Sequence, residues 1–392
     1  MAVNNDQSLI YLDHNANTPV APQVLDAMLP YLRDQYGNPS SDHPPGRRAA
    51  AAVDLARAQG RRPGRRRPGR HHLHLRWHRV QQPGHPWHRR RHRRGAAPHR
   101  HHRAGAPCHH RTLSASGNPG LDHHPPPGHP RRLNRHRHGG RRDGPRRRPG
   151  HDDAGAKRNR GNLACRGHRS PRPRAGAVVH TDAAQAIGKI DVDVTDLDVD
   201  LLSIAGHKCY APKGVGALYR RPGTPINPVL LGAGQEHGLR PGTENVAGIV
   251  GLGAACDLAR THLTAETKQL ACLGHTLWQL LNAAVPGLVR HTPEVALPNT
   301  LTVSFPGVLG RDVLAHAAGL AASTGSACHS GQETPSATLL AMGVPPATAL
   351  GSVRLSWAAP QLATDISTAA TILVTAHALA SARERRPALA AR

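Results

Sequence analysis

Hydrophobic and polar positions keep a readable order over parts of this chain and lose it entirely over one long stretch. Near residue 178 the apolar pair Val178-Val179 leads into His180-Thr181-Asp182 and the run closes on Gln185. An apolar run ending in an acid and an amide predicts a buried parallel strand with its chemistry at the carboxyl end. Leu301-Thr302-Val303-Ser304-Phe305 predicts a second strand. Over residues 365–385, Ile366, Ala369, Ile372, Leu373 and Ala376 return at helical spacing and predict a helix. Residues 1–9 are polar and carry no basic-then-apolar signal, and no apolar run is long enough to span a bilayer, so a cytoplasmic protein without a membrane segment is expected.

From Gly60 to about Arg174 the pattern is Arg, His, Pro and Gly, with almost no aliphatic period and with Trp77 and Trp87 as its only large aromatics. Such a composition cannot bury enough apolar surface to offset chain entropy and predicts disorder. The formal charge of +26 resides there: residues 61–174 hold 32 of the 51 Lys and Arg and 4 of the 25 Asp and Glu, leaving 19 basic and 21 acidic residues elsewhere. Outside that segment the chain is close to neutral, as an ordinary enzyme is. The length of 392 residues suits two domains.

Six cysteines are scattered with no C-x-x-C spacing, so neither a disulfide framework nor a structural zinc site is indicated. Cys256 and Cys272 lie among Ala, Leu and Gly at helical spacing and are read as packing residues. The histidine runs near His71, His101 and His109 offer no ordered ligand set, and no metal is expected.

The chain also carries an ordered series of short motifs. Tyr11-Leu12-Asp13-His14-Asn15-Ala16 comes first, then Gly37-Asn38-Pro39-Ser40-Ser41, then His180-Thr181-Asp182-Ala183-Ala184-Gln185. Ala205-Gly206-His207-Lys208 follows, with Pro212-Lys213-Gly214 behind it, then Arg240-Pro241-Gly242-Thr243-Glu244-Asn245 and Ser323-Thr324-Gly325-Ser326-Ala327-Cys328. Taken together they resemble the cysteine desulfurases, NifS/IscS-like enzymes of the class-V aminotransferase family that use pyridoxal phosphate (PLP). The resemblance covers about residues 8–60 and 175–392.

It implies an α/β protein of PLP-dependent transferase fold type I, like aspartate aminotransferase. A large domain with a mostly parallel sheet of about seven strands would span residues 16–260. A smaller α+β domain would combine residues 1–15 with 261–392 and carry a Cys328 loop. By the resemblance Lys208 holds the cofactor, Asp182 faces its ring nitrogen, Gln185 its ring hydroxyl, and His207 and Thr243 its phosphate, with Thr243 reaching in from the partner of a homodimer. Where the family often has serine two residues before the histidine, this chain has Ala205, and Ser203 is the nearest hydroxyl. Cys328 is the expected nucleophile in a small, polar loop; such a thiol needs nearby positive charge or a proton acceptor, and His329 adjoins it. Arg354 matches the arginine that binds the substrate carboxylate, with Asn15 a weaker candidate. The implied reaction removes sulfur from L-cysteine, giving L-alanine and a Cys328 persulfide for a sulfur-acceptor protein in iron-sulfur cluster assembly or tRNA thiolation.

The basic segment sits where that fold needs half of its central sheet. Back-translated with CGN arginine codons and read one nucleotide later, residues 71–82 permit I-I-F-T-S-G-G-T-E-S-N-N, which resembles the family's phosphate-binding motif; Trp77 followed by His78 gives only glycine in that frame. The same displacement permits E-x-E-H-P near residues 103–108 and N-E-T-G near 157–160. Two compensating frameshifts, near Gly60 and near Arg174, account for this, and the chain as written is expected to be weakly active or inactive. Two alternatives differ in kind: a selenocysteine lyase or other fold-type-I PLP enzyme, and a basic nucleic-acid-binding protein. The near absence of aromatics for base stacking disfavours the last.

Overall fold

The computed structural model describes residues 9–60, 152–153, 178–324, 334–359, 361 and 363–390, and the account below concerns these. After strand β1 (Ile10–Tyr11) come helices α1 (Pro22–Arg33) and α2 (Pro44–Gln59). Each starts on proline, whose fixed φ suits a first turn and whose missing N–H would have had no partner there. At the start of α2, His43 Nδ1 accepts the Gly46 N–H at 3.1 Å. Both helices pack on α3 (Val246–Ala284), a helix of 39 residues that Asn245 caps by accepting the Gly248 N–H.

Between α2 and α3 in the chain come strands β2 (Asp152–Asp153), β3 (His180–Asp182), β4 (Leu201–Ala205) and β5 (Gly216–Arg220), which form a sheet in that spatial order. The first three run parallel and β5 returns antiparallel to β4. A second sheet pairs β6 (Val289–Arg290), β7 (Thr300–Ser304) and, beyond β8 (Leu320–Ala321), β9 (Ser352–Ser356), all antiparallel. Strand β8 pairs instead with β1, in parallel. Short helices α4 (Gly310–His316), α5 (Ala337–Ala341) and α6 (Pro346–Leu350) fill the connections, and α7 (Ala363–Ala390) closes the chain.

Two apolar clusters result. One, around Val24, Val53, Ile204, Tyr219 and Leu252, lies between α1–α3 and the first sheet. The other, around Leu277, Phe305, Leu355, Trp357 and Leu373, lies between the second sheet and α3 and α7. Helix α3 serves both: its Ile249, Leu252 and Ala255 belong to the first, and Leu270, Leu273, Leu277 and Leu281 to the second. Gly274 is required on that second stretch, because a Cβ there would lie 2.5 Å from Cζ2 of Trp357.

The helix expected over 365–385 forms within α7 and buries Ile366, Ala369, Leu373 and Ala376. The strand expected at 301–305 forms one residue earlier, with both faces covered, since the polar face is paired too: His291 Nε2 and Ser304 Oγ lie 2.7 Å apart, and Thr292 Oγ1 accepts the Thr302 N–H. The strand expected from Val178 is only three residues long. The Asp182 carboxylate accepts the Ala184 N–H at 2.9 Å and turns the chain away from the sheet. Within 61–174, Asp152–Asp153 are the described residues, and they pair in parallel with the edge of β3. Backbone groups alone make that pairing, so composition does not forbid it; the rest of that stretch lies outside the described residues. Among the described residues no helix is long and apolar enough to cross a membrane, and no group of His, Cys, Asp and Glu could hold a metal ion.

Candidate active site

Strands β3 and β4 are parallel neighbours, with Asp182 in register with Ser203, so their carboxyl ends open on the same side of the sheet. Asp182 ends β3 and is 2 % exposed; Gln185, on the turn that follows, is equally buried. Beyond β4, a single 3-10 turn (Gly206–Lys208) carries Lys208 inward until 4 % of it remains exposed. That turn needs glycine at its start: a Cβ on Gly206 would lie 2.9 Å from Val215 Cγ1 and from the Val215 carbonyl oxygen. After it, Tyr210 adopts φ 64, a left-handed conformation that costs a bulky residue free energy and is held here by tertiary contacts. Its N–H donates to Thr18 Oγ1 at 2.8 Å and its hydroxyl accepts the Ala359 N–H at 3.2 Å. Burial pushes its phenol up to about 12.

A segment from the beginning of the chain binds these parts together. The Leu12 N–H donates to the Ala321 carbonyl at 2.7 Å and the Leu12 carbonyl accepts the Ser356 N–H at 2.8 Å, which threads residues 10–13 between β8 and β9. Asp13 then meets Arg354, with Oδ1 2.5 Å from Nη2. The Asn15 carbonyl accepts Gln185 Nε2 at 2.9 Å, and the Thr18 N–H donates to the His207 carbonyl at 2.8 Å. Tyr11 and His14 meet edge to face, their centroids 4.9 Å apart. Burial holds the His14 imidazole down at about 4, so it is neutral at neutral pH.

Three buried polar atoms here have no partner among the described residues: His14 Nδ1, Gln185 Oε1 and Arg354 Nε. Gln185 already spends its amide donor on Asn15, so an incoming hydroxyl would satisfy its oxygen. The lone Arg354 Nε is a donor of the kind a carboxylate takes. Asn15 itself is wholly buried, and its side chain is engaged: Nδ2 donates to Thr300 Oγ1 at 2.9 Å and Oδ1 accepts from Asn299 at 3.3 Å. It braces the two halves of the site rather than offering an open group to a ligand.

Asp182, Gln185, Lys208 and His207 thus share one end of the first sheet, and Arg354 and Asn15 join them through the 10–18 segment. Thr243 stands apart within this chain. It is exposed on a loop in which Arg240 Nη1 donates to the Gly242 and Thr243 carbonyls at 2.7 and 3.0 Å. Ser203 does not replace the hydroxyl absent at Ala205; it is buried, with its Oγ 2.8 Å from His180 Nε2. Cys328 and His329 lie outside the described residues, but Ser323, five residues before that cysteine, exchanges backbone bonds with Arg354 at 2.6 and 3.3 Å. Cys272 corrects its sequence reading: it is exposed, because Leu270, Leu273 and Leu277 take the core face of α3. Cys256 does pack, and burial pushes its thiol far up. Thr18, Asp13 and Lys189 were not anticipated from the sequence.

The class-V aminotransferase family model matches residues 10–62 and 170–368, breaking off where the basic segment starts and resuming near its end. A cysteine desulfurase of Gluconacetobacter diazotrophicus is 45 % identical over 195 residues, which cover 49 % of each chain, so the chain spans about half the length of the curated relatives it matches at this level. A cysteine desulfurase of Klebsiella pneumoniae is 35 % identical over 378 residues, covering 88 % of this chain and 87 % of that one. Among solved structures, a NifS-like protein superposes with a TM-score of 0.70 at 24 % identity, over 94 % of this chain and 98 % of its own. The family match and the structural likeness agree on the architecture, a fold-type-I α/β framework. The chain belongs to the class-V aminotransferase family.

Proposed function

We propose that this chain is a PLP-dependent cysteine desulfurase, with the two apolar clusters as the cores of its large and small domains. The observation that carries the reading is the meeting of Asp182, Lys208 and Gln185, with its partnerless oxygen, at the carboxyl ends of two parallel strands. These residues fit the cofactor: Lys208 would bind it covalently, Asp182 would pair with its ring nitrogen, Gln185 would meet its hydroxyl, and His207 would approach its phosphate. Thr243, solvent-facing here, would do the same for a partner subunit. When bound, PLP draws electron density away from the substrate Cα.

The chain's own groups do the rest. Arg354 binds the α-carboxylate of L-cysteine, exchanging its contact with Asp13 for a fork to the ligand. The Lys208 amine takes the Cα proton. The Cys328 thiolate then bonds to the substrate sulfur as the Cβ–S bond breaks, and the carbon fragment gains a proton at Cβ, recovers one at Cα and departs as L-alanine. The persulfide left on Cys328 goes to a sulfur-acceptor protein. Borohydride trapping of the chain incubated with PLP, followed by peptide mass spectrometry, is expected to find the adduct on Lys208. Cys328→Ala should keep that adduct and lose sulfide release from L-cysteine. An adduct spread evenly over surface lysines contradicts the cofactor site, and unchanged sulfide release in Cys328→Ala contradicts the nucleophile.

A further inference from the structure

Lys189 lies four residues beyond Gln185, and its side chain points into the protein, leaving 6 % of the residue exposed. Its Nζ donates to the Lys208 carbonyl at 2.9 Å. Among the described residues it forms no ion pair with a carboxylate; the groups that feel its charge are Cys209 and His14. An ammonium taken out of water without a counter-charge is costly, and lysine is among the side chains least often fully buried. Burial accordingly lowers its pKa to about 8. The fold holds this residue in place from behind: its N–H donates to the Ala186 carbonyl at 3.0 Å, and its carbonyl, also at 3.0 Å, shares the Thr267 hydroxyl with the Leu263 carbonyl at 2.6 Å.

The turn that presents Lys208 has three carbonyls, each held from a different direction. Gly206 receives the Cys209 and Ala211 N–H groups, His207 receives the Thr18 N–H, and Lys208 receives Lys189. Only the last of these holds is made by a charged side chain. Remove it and a buried carbonyl loses a bond to a charged donor, the kind whose loss is felt most.

We propose that Lys189 is a positioning residue for Lys208, its buried ammonium fixing the backbone from which the cofactor-bearing amine projects. The inference rests on the role given to Lys208 above. A lysine has four rotatable side-chain bonds, so a fixed carbonyl at its root narrows where its amine can reach, and misplacement by an ångström is enough to lose reactivity.

The test uses the full chain with added PLP. Its readouts are the rate of borohydride-trapped adduct at Lys208 and the circular dichroism of the bound chromophore per mole of adduct. Lys189→Met keeps the apolar stem and removes the donor; it should slow Lys208 trapping about ten-fold, the loss of one charge-assisted hydrogen bond. It should also change the dichroism of the PLP that does bind. A merely structural role would leave the dichroism per adduct unchanged whatever happens to the melting temperature, and that result would overturn the proposal. Equal trapping in Lys189→Met and the parent overturns this inference alone; no Lys208 adduct in the parent overturns the cofactor reading with it. Should Lys189→Met not fold, Thr267→Val, which frees the Lys189 carbonyl and leaves its charge, is expected to slow trapping roughly two- to three-fold, and unchanged trapping there counts against the proposal.

Discussion

The two apolar cores are built from different materials. The core of the second sheet gathers leucines with Phe305 and Trp357 and, among the described residues, draws on 270–380 together with Leu12 and the partly buried Ile10. The core of the first sheet is made largely of valines and alanines from α1, α2, α3, β5 and the turns around β3–β5. Between α2 and β3 the chain passes through the basic segment, which contributes only Asp152–Asp153 among the described residues. The difference teaches that one core is drawn almost wholly from an unbroken part of the family pattern, while the core beside the proposed cofactor residues draws on a sequence whose family match breaks off at its edge. The chemistry sits at the seam, where Asn15 touches Thr300 on one side and Gln185 on the other.

Replacing residues 61–174 by their displaced reading should break this asymmetry most strongly. On the frameshift reading, the first core would gain apolar residues and the proposed phosphate site a threonine. Retention of PLP through gel filtration is expected to rise about a hundred-fold or more, equivalent to at least two decades of affinity. Equal retention by the chain as written and by the replaced form would show that the first core needs nothing from that stretch.

The second core can be challenged directly. Trp357 is buried, and its Nε1 donates to the Leu270 carbonyl at 2.9 Å. Trp357→Ala should cost about 3–5 kcal/mol in denaturant unfolding, whereas Val53→Ala in the first core should cost about 1–2 kcal/mol because fewer contacts are lost. Two unfolding transitions with only the later one shifted by Trp357→Ala would sharpen the comparison; a single transition moved equally by both would abolish it.

How much of this was legible follows from how local each signal is. Helix α7 could be read because its apolar stripe repeats within its own residues. Asp182, Gln185 and Lys208 could be picked out because they stand in recognisable motifs at or just beyond the ends of β3 and β4. Thr18 and Lys189 could not, since each acts by bonding a backbone carbonyl in the Gly206–Lys208 turn, and a carbonyl leaves no trace in a side-chain pattern. Asp13 stood in a quoted motif, yet its pairing with a residue 341 positions away is a product of topology. Cys272 was legible and misread: it follows Leu270 by two positions, about 200° around the helix, which turns it away from the leucine face.

The seam itself offers the smallest test. Burial, with Lys189 adding to it and the Gln361 hydrogen bond opposing, holds His14 at about 4, against about 6.5 in an unfolded chain. Between those values the unfolded state binds a proton that the folded state refuses, so stability is full above about pH 6.5 and falls as pH drops towards 4. This one group should account for about 2 kcal/mol of the difference in unfolding free energy between about pH 7.5 and about pH 4.5. His14→Gln, which cannot take up that proton, should remove that part of the slope and leave the carboxylates' share. An unchanged acid slope in His14→Gln would mean that the seam opens to water before the imidazole titrates, and that the 10–18 segment joins the two cores more loosely than its hydrogen bonds indicate.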